Sequence, residues 1–188
     1  MVDNERKCVF IHIPRCAGRS IEQVFGSNDH SYTPNPKYVQ DENLKDYYFF
    51  SFVRNPWDRF LSVYLFLRGG GLNEHDRYIE RTLIKGRDFE EFILDTPVRD
   101  LLSYPYFCRY IYFLDRLKRI DYVGRYENLN EDFKQILINL KEDEIELPHI
   151  NSNNNKKHYT EYYNDKTIAA IGKLYHNDIR DWDYKFGK

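Results

Sequence analysis

Cysteine is scarce in this chain, with three in 188 residues at positions 8, 16 and 108. Cys8, Cys16 and Cys108 are too few and too scattered for a disulfide framework, no CxxC pair occurs, and no Cys/His cluster has zinc-finger spacing. A reducing compartment and a metal-free protein are the resulting expectations. No apolar run approaches the ~20 residues that span a bilayer, and the opening Val2-Asp3-Asn4-Glu5-Arg6-Lys7 lacks the apolar stretch of a secretory signal. A soluble, cytoplasmic chain with no membrane association is therefore expected. Charge of neither sign dominates: 28 Lys and Arg stand against 30 Asp and Glu, a formal net charge of -2. A bulk polycation that coats nucleic acid is excluded, so nucleic acid is not an expected partner, and any anion site must come from local placement of charge. Internal repeats, linkers and low-complexity tracts are missing, apart from an Asn-rich loop at residues 151–158.

What is present is a globular composition, 41% apolar and 31% charged. Aromatic content is 17%, with 17 Tyr and 13 Phe, which argues against disorder over most of the chain. The length suits one domain over residues 1–188, which would bury roughly 70% of its unfolded surface. Cys8 to Ile13 is a short, nearly continuous apolar run, as expected of a strand covered on both faces. Pro14 ends it, and a helical pattern follows through Ile21, Val24 and Phe25 to Gly26. Tyr47 to Val53 reads as a second buried strand, and Pro56 opens a helix that runs to about Arg68 with Phe60, Leu61, Tyr64, Leu65 and Leu67 on its apolar face. Residues 88–119 read as helices broken at Pro97 and Pro105. Asp121 to Arg125 reads as a third strand, Leu129 to Leu140 as an amphipathic helix, and Asp165 to Tyr175 as a further helix. Strands alternating with helices predict an α/β layered fold around a central parallel sheet.

The first loop carries Arg15, Cys16, Ala17, Gly18, Arg19 and Ser20. A loop between a buried strand and a helix N-terminus offers backbone N–H groups and the helix dipole to an anion. Gly18 lets a phosphate approach the backbone, and arginines add fixed charge. The segment fits either a phosphate cradle or a surface turn with two solvated arginines, and it is not a Walker A loop, because GxxxxGK[ST] is absent. Arg54 follows the second strand, and Ser62 lies eight residues on. Parallel strands place their C-terminal ends on one edge, where ligands of open α/β sheets bind. Two anion-binding ends there suit a ligand with two separated phosphates. Arg54 as a surface ion-pair partner and Ser62 as a small packing residue remain the alternative.

Residues 10 to 21, Phe-Ile-His-Ile-Pro-Arg-Cys-Ala-Gly-Arg-Ser-Ile, resemble the 5′-phosphosulfate-binding motif of sulfotransferases that use 3′-phosphoadenosine 5′-phosphosulfate (PAPS). The family form is close to I-H-I-P-K-T-A-G-T-S. Residues 52 to 64, Phe-Val-Arg-Asn-Pro-Trp-Asp-Arg-Phe-Leu-Ser-Val-Tyr, look like the family's 3′-phosphate-binding motif, including the Arg-x7-Ser spacing of Arg54 and Ser62. The stretches Tyr122 to Leu129, Leu147 to Ser152 and Tyr175 to Tyr184 look familial too, so the resemblance runs from about residue 8 to 186. The closest branch contains the carbohydrate sulfotransferases of the heparan and chondroitin type. Three positions depart from the motif: Arg15 replaces the family lysine, and Cys16 and Arg19 replace the two threonines.

The resemblance implies a P-loop-nucleotide-kinase-like fold and a PAPS-dependent enzyme that needs no metal. It transfers a sulfuryl group to an acceptor hydroxyl on a small molecule or a carbohydrate. Pro14, Arg15, Cys16, Ala17, Gly18, Arg19 and Ser20 would hold the 5′ end, with Arg15 stabilising charge on the leaving phosphate. Arg54 and Ser62 would hold the 3′-phosphate, and Lys156 and Lys157 could reach phosphate from the Asn-rich loop. Relatives in this branch carry a catalytic histidine between the two phosphate motifs, which selects His30 as the base. Asp29, Glu22, His75 and His158 are lesser candidates, and His12, inside the first strand, reads as a satisfied core residue. A P-loop-like small-molecule kinase and an inactive nucleotide-binding module are the competing readings.

Overall fold

The computed structural model describes residues 1–26, 41–114, 119–148 and 157–188. They pack as two compact units, Met1–Arg54 with Tyr110–Asn154, and Asn55–Arg109 with Asn155–Lys188.

The first unit is built on a four-stranded sheet in the order β1 (Val2–Asp3), β2 (Cys8–Ile11), β3 (Tyr48–Val53), β4 (Tyr122–Arg125). β2, β3 and β4 are parallel, with Phe10 opposite Phe50 and Phe52 opposite Gly124. The expected all-parallel sheet is thus corrected at one edge, because β1 runs antiparallel to β2, with Val2 opposite Val9. Two residues are too few to show a strand period. The reversal comes from a tight turn in which the Asp3 carboxylate accepts the N–H groups of Glu5 and Arg6, each at 2.9 Å. Such a side-chain-to-backbone turn suits an antiparallel return.

All four residues of β2 are buried, and so are five of six in β3. This explains why both read as unbroken apolar runs rather than alternating ones. The helix α1 (Gly18–Val24) follows β2. At its C-terminal end Phe25 packs on Phe50 of β3 and edge-on to Phe133. Phe133 belongs to α7 (Leu129–Leu140), which returns from β4 and caps it through Asp132: one carboxylate oxygen accepts the Arg125 N–H at 2.5 Å, the other the Tyr122 hydroxyl at 2.9 Å. The polar Ser51 in the middle of β3 is fully buried and donates its hydroxyl to the Ile11 carbonyl at 2.7 Å.

The second unit is helical and centres on α2 (Pro56–Arg68). Pro56 stands in its first turn, where a missing N–H costs nothing, and Asn55 caps it by accepting the Trp57 N–H at 3.2 Å. Phe60 and Tyr64 interlock with Phe89 and Phe92 of α4 (Phe89–Asp95). Arg59 is fully buried and donates to the carbonyls of Cys108 and Tyr106 at 2.9 and 3.0 Å. Among the described residues the remaining α-helices are α3 (Glu74–Ile79), α5 (Val98–Leu102), α8 (Asp165–Leu174) and α9 (His176–Asp181), while α6 (Tyr110–Leu114) belongs to the first unit. No helix among the described residues is long and apolar enough to cross a membrane.

Burial has a consequence at alkaline pH. It pushes the Cys8 thiol up to about 12 from an ordinary 9.0, and the Tyr122 hydroxyl, which also faces Asp132, up to about 12 from 10.0. Tyr163 and Tyr175 are likewise raised by burial. Each group titrates higher in the folded chain than in the unfolded one. Its contribution to stability is therefore complete below the unfolded value and is lost as pH rises through the folded value. The melting temperature should stay level to about pH 8.5 and fall steadily above about pH 10, with the share of tyrosinate absorbance that belongs to Tyr122, Tyr163 and Tyr175 rising only as the chain unfolds. Ionisation of all 17 tyrosines near pH 10 with no loss of melting temperature would contradict this packing.

Candidate functional site

The C-terminal ends of β2, β3 and β4 lie side by side, as the parallel register requires. The residues that leave those ends are therefore neighbours: His12 to Ser20 after β2, Arg54 after β3, and Tyr126 after β4.

The loop after β2 has an unusual backbone. Arg15 and Ala17 adopt the left-handed conformation, with φ of 67° and 64°, while Cys16 and Gly18 do not. Alternating handedness of this kind turns neighbouring N–H groups toward one concave side, the shape that cradles anions, while the Cys16 N–H is taken by the Ile13 carbonyl at 3.3 Å. Ala17, at the start of α1, offers no side-chain cap. Pro14 and Cys16 are buried, while Arg15, Ala17 and Arg19 are half-buried along the loop. Ser20 is buried in the first turn of α1. The Cys16 thiol faces the Pro14 carbonyl at 3.8 Å.

Beneath this loop lies a buried polar pair. His12 Nδ1 is 2.6 Å from Glu22 Oε1, and the two side chains are 3% and 1% exposed. The imidazole lies across the first turn of α1, so close to Gly18 that a Cβ there would sit 2.0 Å from His12 Nε2. Gly18 is thus required by contact with His12. Glu22 is one turn on from Gly18, on the same helix face. The pairing bears out a satisfied core role for His12, and it commits the Glu22 carboxylate to His12.

Arg54 is 7% exposed. The Tyr110 hydroxyl holds its backbone from both sides, accepting the Arg54 N–H at 3.1 Å and donating to the Arg54 carbonyl. Its guanidinium lies 3.9 Å from the centre of the Tyr126 ring. Its Nη1 donates to the Arg15 carbonyl at 3.0 Å. The two arginines picked from separate motifs are therefore in direct contact. Sequence reasoning missed Tyr110 and Tyr126 as supports for Arg54. The position of Tyr126, one residue past β4, was a usable signal for the second, but nothing in the Tyr-rich stretch distinguished Tyr110.

A protein-family comparison matches the sulfotransferase family to residues 1–185. The chain belongs to the sulfotransferase family. A curated relative, an "Uncharacterized protein" of Archaeoglobus fulgidus, is 29% identical over 95 residues, which covers 48% of this chain and 65% of the relative. The chain thus covers less than two thirds of that relative's length. No solved structure matches it.

Ser62 is buried within α2, in the second unit. Lys157 is 71% exposed and faces Glu161 at 4.0 Å. His75 is exposed, and so is His158, whose ring pairs with the Thr160 hydroxyl. His30, Asp29 and Lys156 lie outside the described residues, as does most of the Asn-rich loop. Among the described residues no group of three or more His, Cys, Asp or Glu could hold a metal ion.

Gly18→Ala should displace His12 or α1, destabilising the chain by about 1–3 kcal/mol as an overpacking change. Ala17→Gly removes a left-handed Cβ and should be neutral or stabilise by up to about 1 kcal/mol. Urea unfolding of both variants checks this, and a Gly18→Ala protein as stable as wild type would contradict the contact with His12.

Proposed function

We propose that this sulfotransferase takes its sulfuryl group from PAPS and passes it to a hydroxyl of a small molecule or carbohydrate, with residues 1–188 acting as one domain. The observation that carries the reading is the contact between the Arg54 guanidinium and the carbonyl of Arg15. It brings the cation of one phosphate motif against the backbone of the other at a single sheet edge.

The residues present fit the donor. Alternating backbone handedness at Arg15 to Gly18 makes a concave anion surface. Bound PAPS supplies a sulfate whose bond to phosphate breaks as a bond from sulfur to the acceptor oxygen forms. The chain's task is to align the reactants and stabilise charge on the departing phosphate. Arg15 supplies that fixed charge, and Arg19 and Ser20 hold the 5′ end. Arg54 meets the 3′-phosphate that separates PAPS from ATP, and Ser62 joins it on the Arg-x7-Ser spacing of the sequence alone. Lys156 and Lys157 add positive charge from the Asn-rich loop. His30 is proposed as the base that takes the acceptor proton, on its place between the two phosphate motifs. The transferred group carries less negative charge than a phosphoryl group, so fixed cations serve here without a metal clamp. The branch of carbohydrate sulfotransferases and a cytoplasmic location belong to the same proposal.

The test is a thermal-shift titration with adenosine 3′,5′-bisphosphate (PAP), beside ATP with and without Mg2+. At a hundredfold excess over Kd, PAP should raise the melting temperature by about 5–10 °C without metal. Arg54→Ala should abolish that shift. A shift with Mg-ATP alone would overturn the reading in favour of a kinase. PAP binding without sulfation of any acceptor on a broad hydroxyl panel would favour the inactive module.

A further inference from the structure

Arg54 stands in a position that reading a 3′-phosphate does not by itself explain. The peptide unit joining Arg15 and Cys16 is gripped at both ends. Its carbonyl accepts from Arg54 Nη1 at 3.0 Å, and its N–H donates to the Ile13 carbonyl at 3.3 Å. That peptide plane lies between the two left-handed residues, Arg15 and Ala17. Left-handed backbone is disfavoured for residues with a Cβ and persists only where the surroundings over-determine it. Fixing the plane fixes the direction of the N–H groups that follow. Arg54 is itself immobilised by the Tyr110 hydroxyl on its backbone and the Tyr126 ring under its guanidinium, so it acts as a rigid strut.

We propose that Arg54 is also a positioning residue for the loop after β2: through the Arg15 carbonyl it holds the anion cradle in its binding conformation before any ligand arrives. The two ends of the donor site are then coupled. Loss of Arg54 damages recognition of the 5′ end of a nucleotide, which Arg54 would have no direct reason to touch. This rests on the reading of the loop as a donor site, but its first test does not require a ligand.

Hydrogen exchange in the ligand-free protein, followed over peptides covering residues 12–21, is compared among wild type, Arg54→Lys and Arg54→Ala. Exchange in the loop should rise about tenfold in Arg54→Ala while β3 keeps its protection, with Arg54→Lys in between, since lysine keeps a donor but loses the planar fork. Loop exchange within twofold of wild type in both variants would overturn the proposal. Protection lost equally in β3 and the loop would also overturn it, because Arg54 would then be a general stabiliser.

The second readout is binding of adenosine 5′-phosphosulfate, which has no 3′-phosphate, beside PAP. The proposal expects both ligands to weaken at least fivefold in Arg54→Ala, and a residue that only reads the 3′-phosphate would leave adenosine 5′-phosphosulfate unchanged. A wild type that binds PAP but ignores millimolar adenosine 5′-phosphosulfate would overturn the preformed cradle. A wild type that binds neither would overturn the donor reading, while the exchange comparison still decides the role of Arg54.

Discussion

A buried cation at the end of a central strand has few stable arrangements, and Arg54 occupies one of them. It leaves β3 with its backbone held by Tyr110, its guanidinium on the Tyr126 ring and one N–H on the Arg15 carbonyl. A contact between a cation and an aromatic face contributes about 0.5–2 kcal/mol, and a hydrogen bond from a charged group about 1.5–3. Together they are large enough to hold a strained loop in place. The parallel register supplies the setting, because only neighbouring strands that run the same way bring the residues after β2, β3 and β4 to one edge. The loop geometry, the grip on the Arg15 peptide and the proposed donor site all depend on that convergence.

The floor of the site is set by a second contact. His12 lies across the first turn of α1 against Gly18 and is tied to Glu22, so the start of the helix is fixed from below while Arg54 fixes the loop from the side. The motif's glycine, read from the sequence as room for a phosphate, makes room here for an imidazole. This gives His12 a packing role within the motif. The substitution of Arg15 for the family lysine falls where the backbone matters as much as the side chain, since Arg15 supplies both a left-handed φ and the carbonyl that Arg54 holds.

Much of the first unit was legible in the sequence for simple reasons. β2 and β3 are buried on both faces, so their apolar runs stand out, and Pro14, Gly26 and Pro56 mark the boundaries that follow. Leu129 to Leu140 was predicted as a helix and is one. The antiparallel β1 was not legible, because two residues carry no period and its turn depends on the Asp3 side chain. The segment from Glu74 to Ile84 was also missed; its helix start rests on the Asn73 cap and on the buried Asp76, and its buried apolar residues Ile79, Leu83 and Ile84 come only in its second half. Within the site, residue types and spacing pointed to Arg15, Gly18 and Arg54 separately. That Arg54 touches Arg15, and that Tyr110 and Tyr126 support it, are tertiary facts that arise only when three strand ends converge.

The most direct measurement is a crystal structure of the chain with PAP bound. The 5′-phosphate should lie in the concavity formed by residues 15–20, with Arg54 against the 3′-phosphate and the Arg15 carbonyl still held by Arg54. A nucleotide bound elsewhere, or a loop that adopts its left-handed residues only around the ligand, would contradict this arrangement.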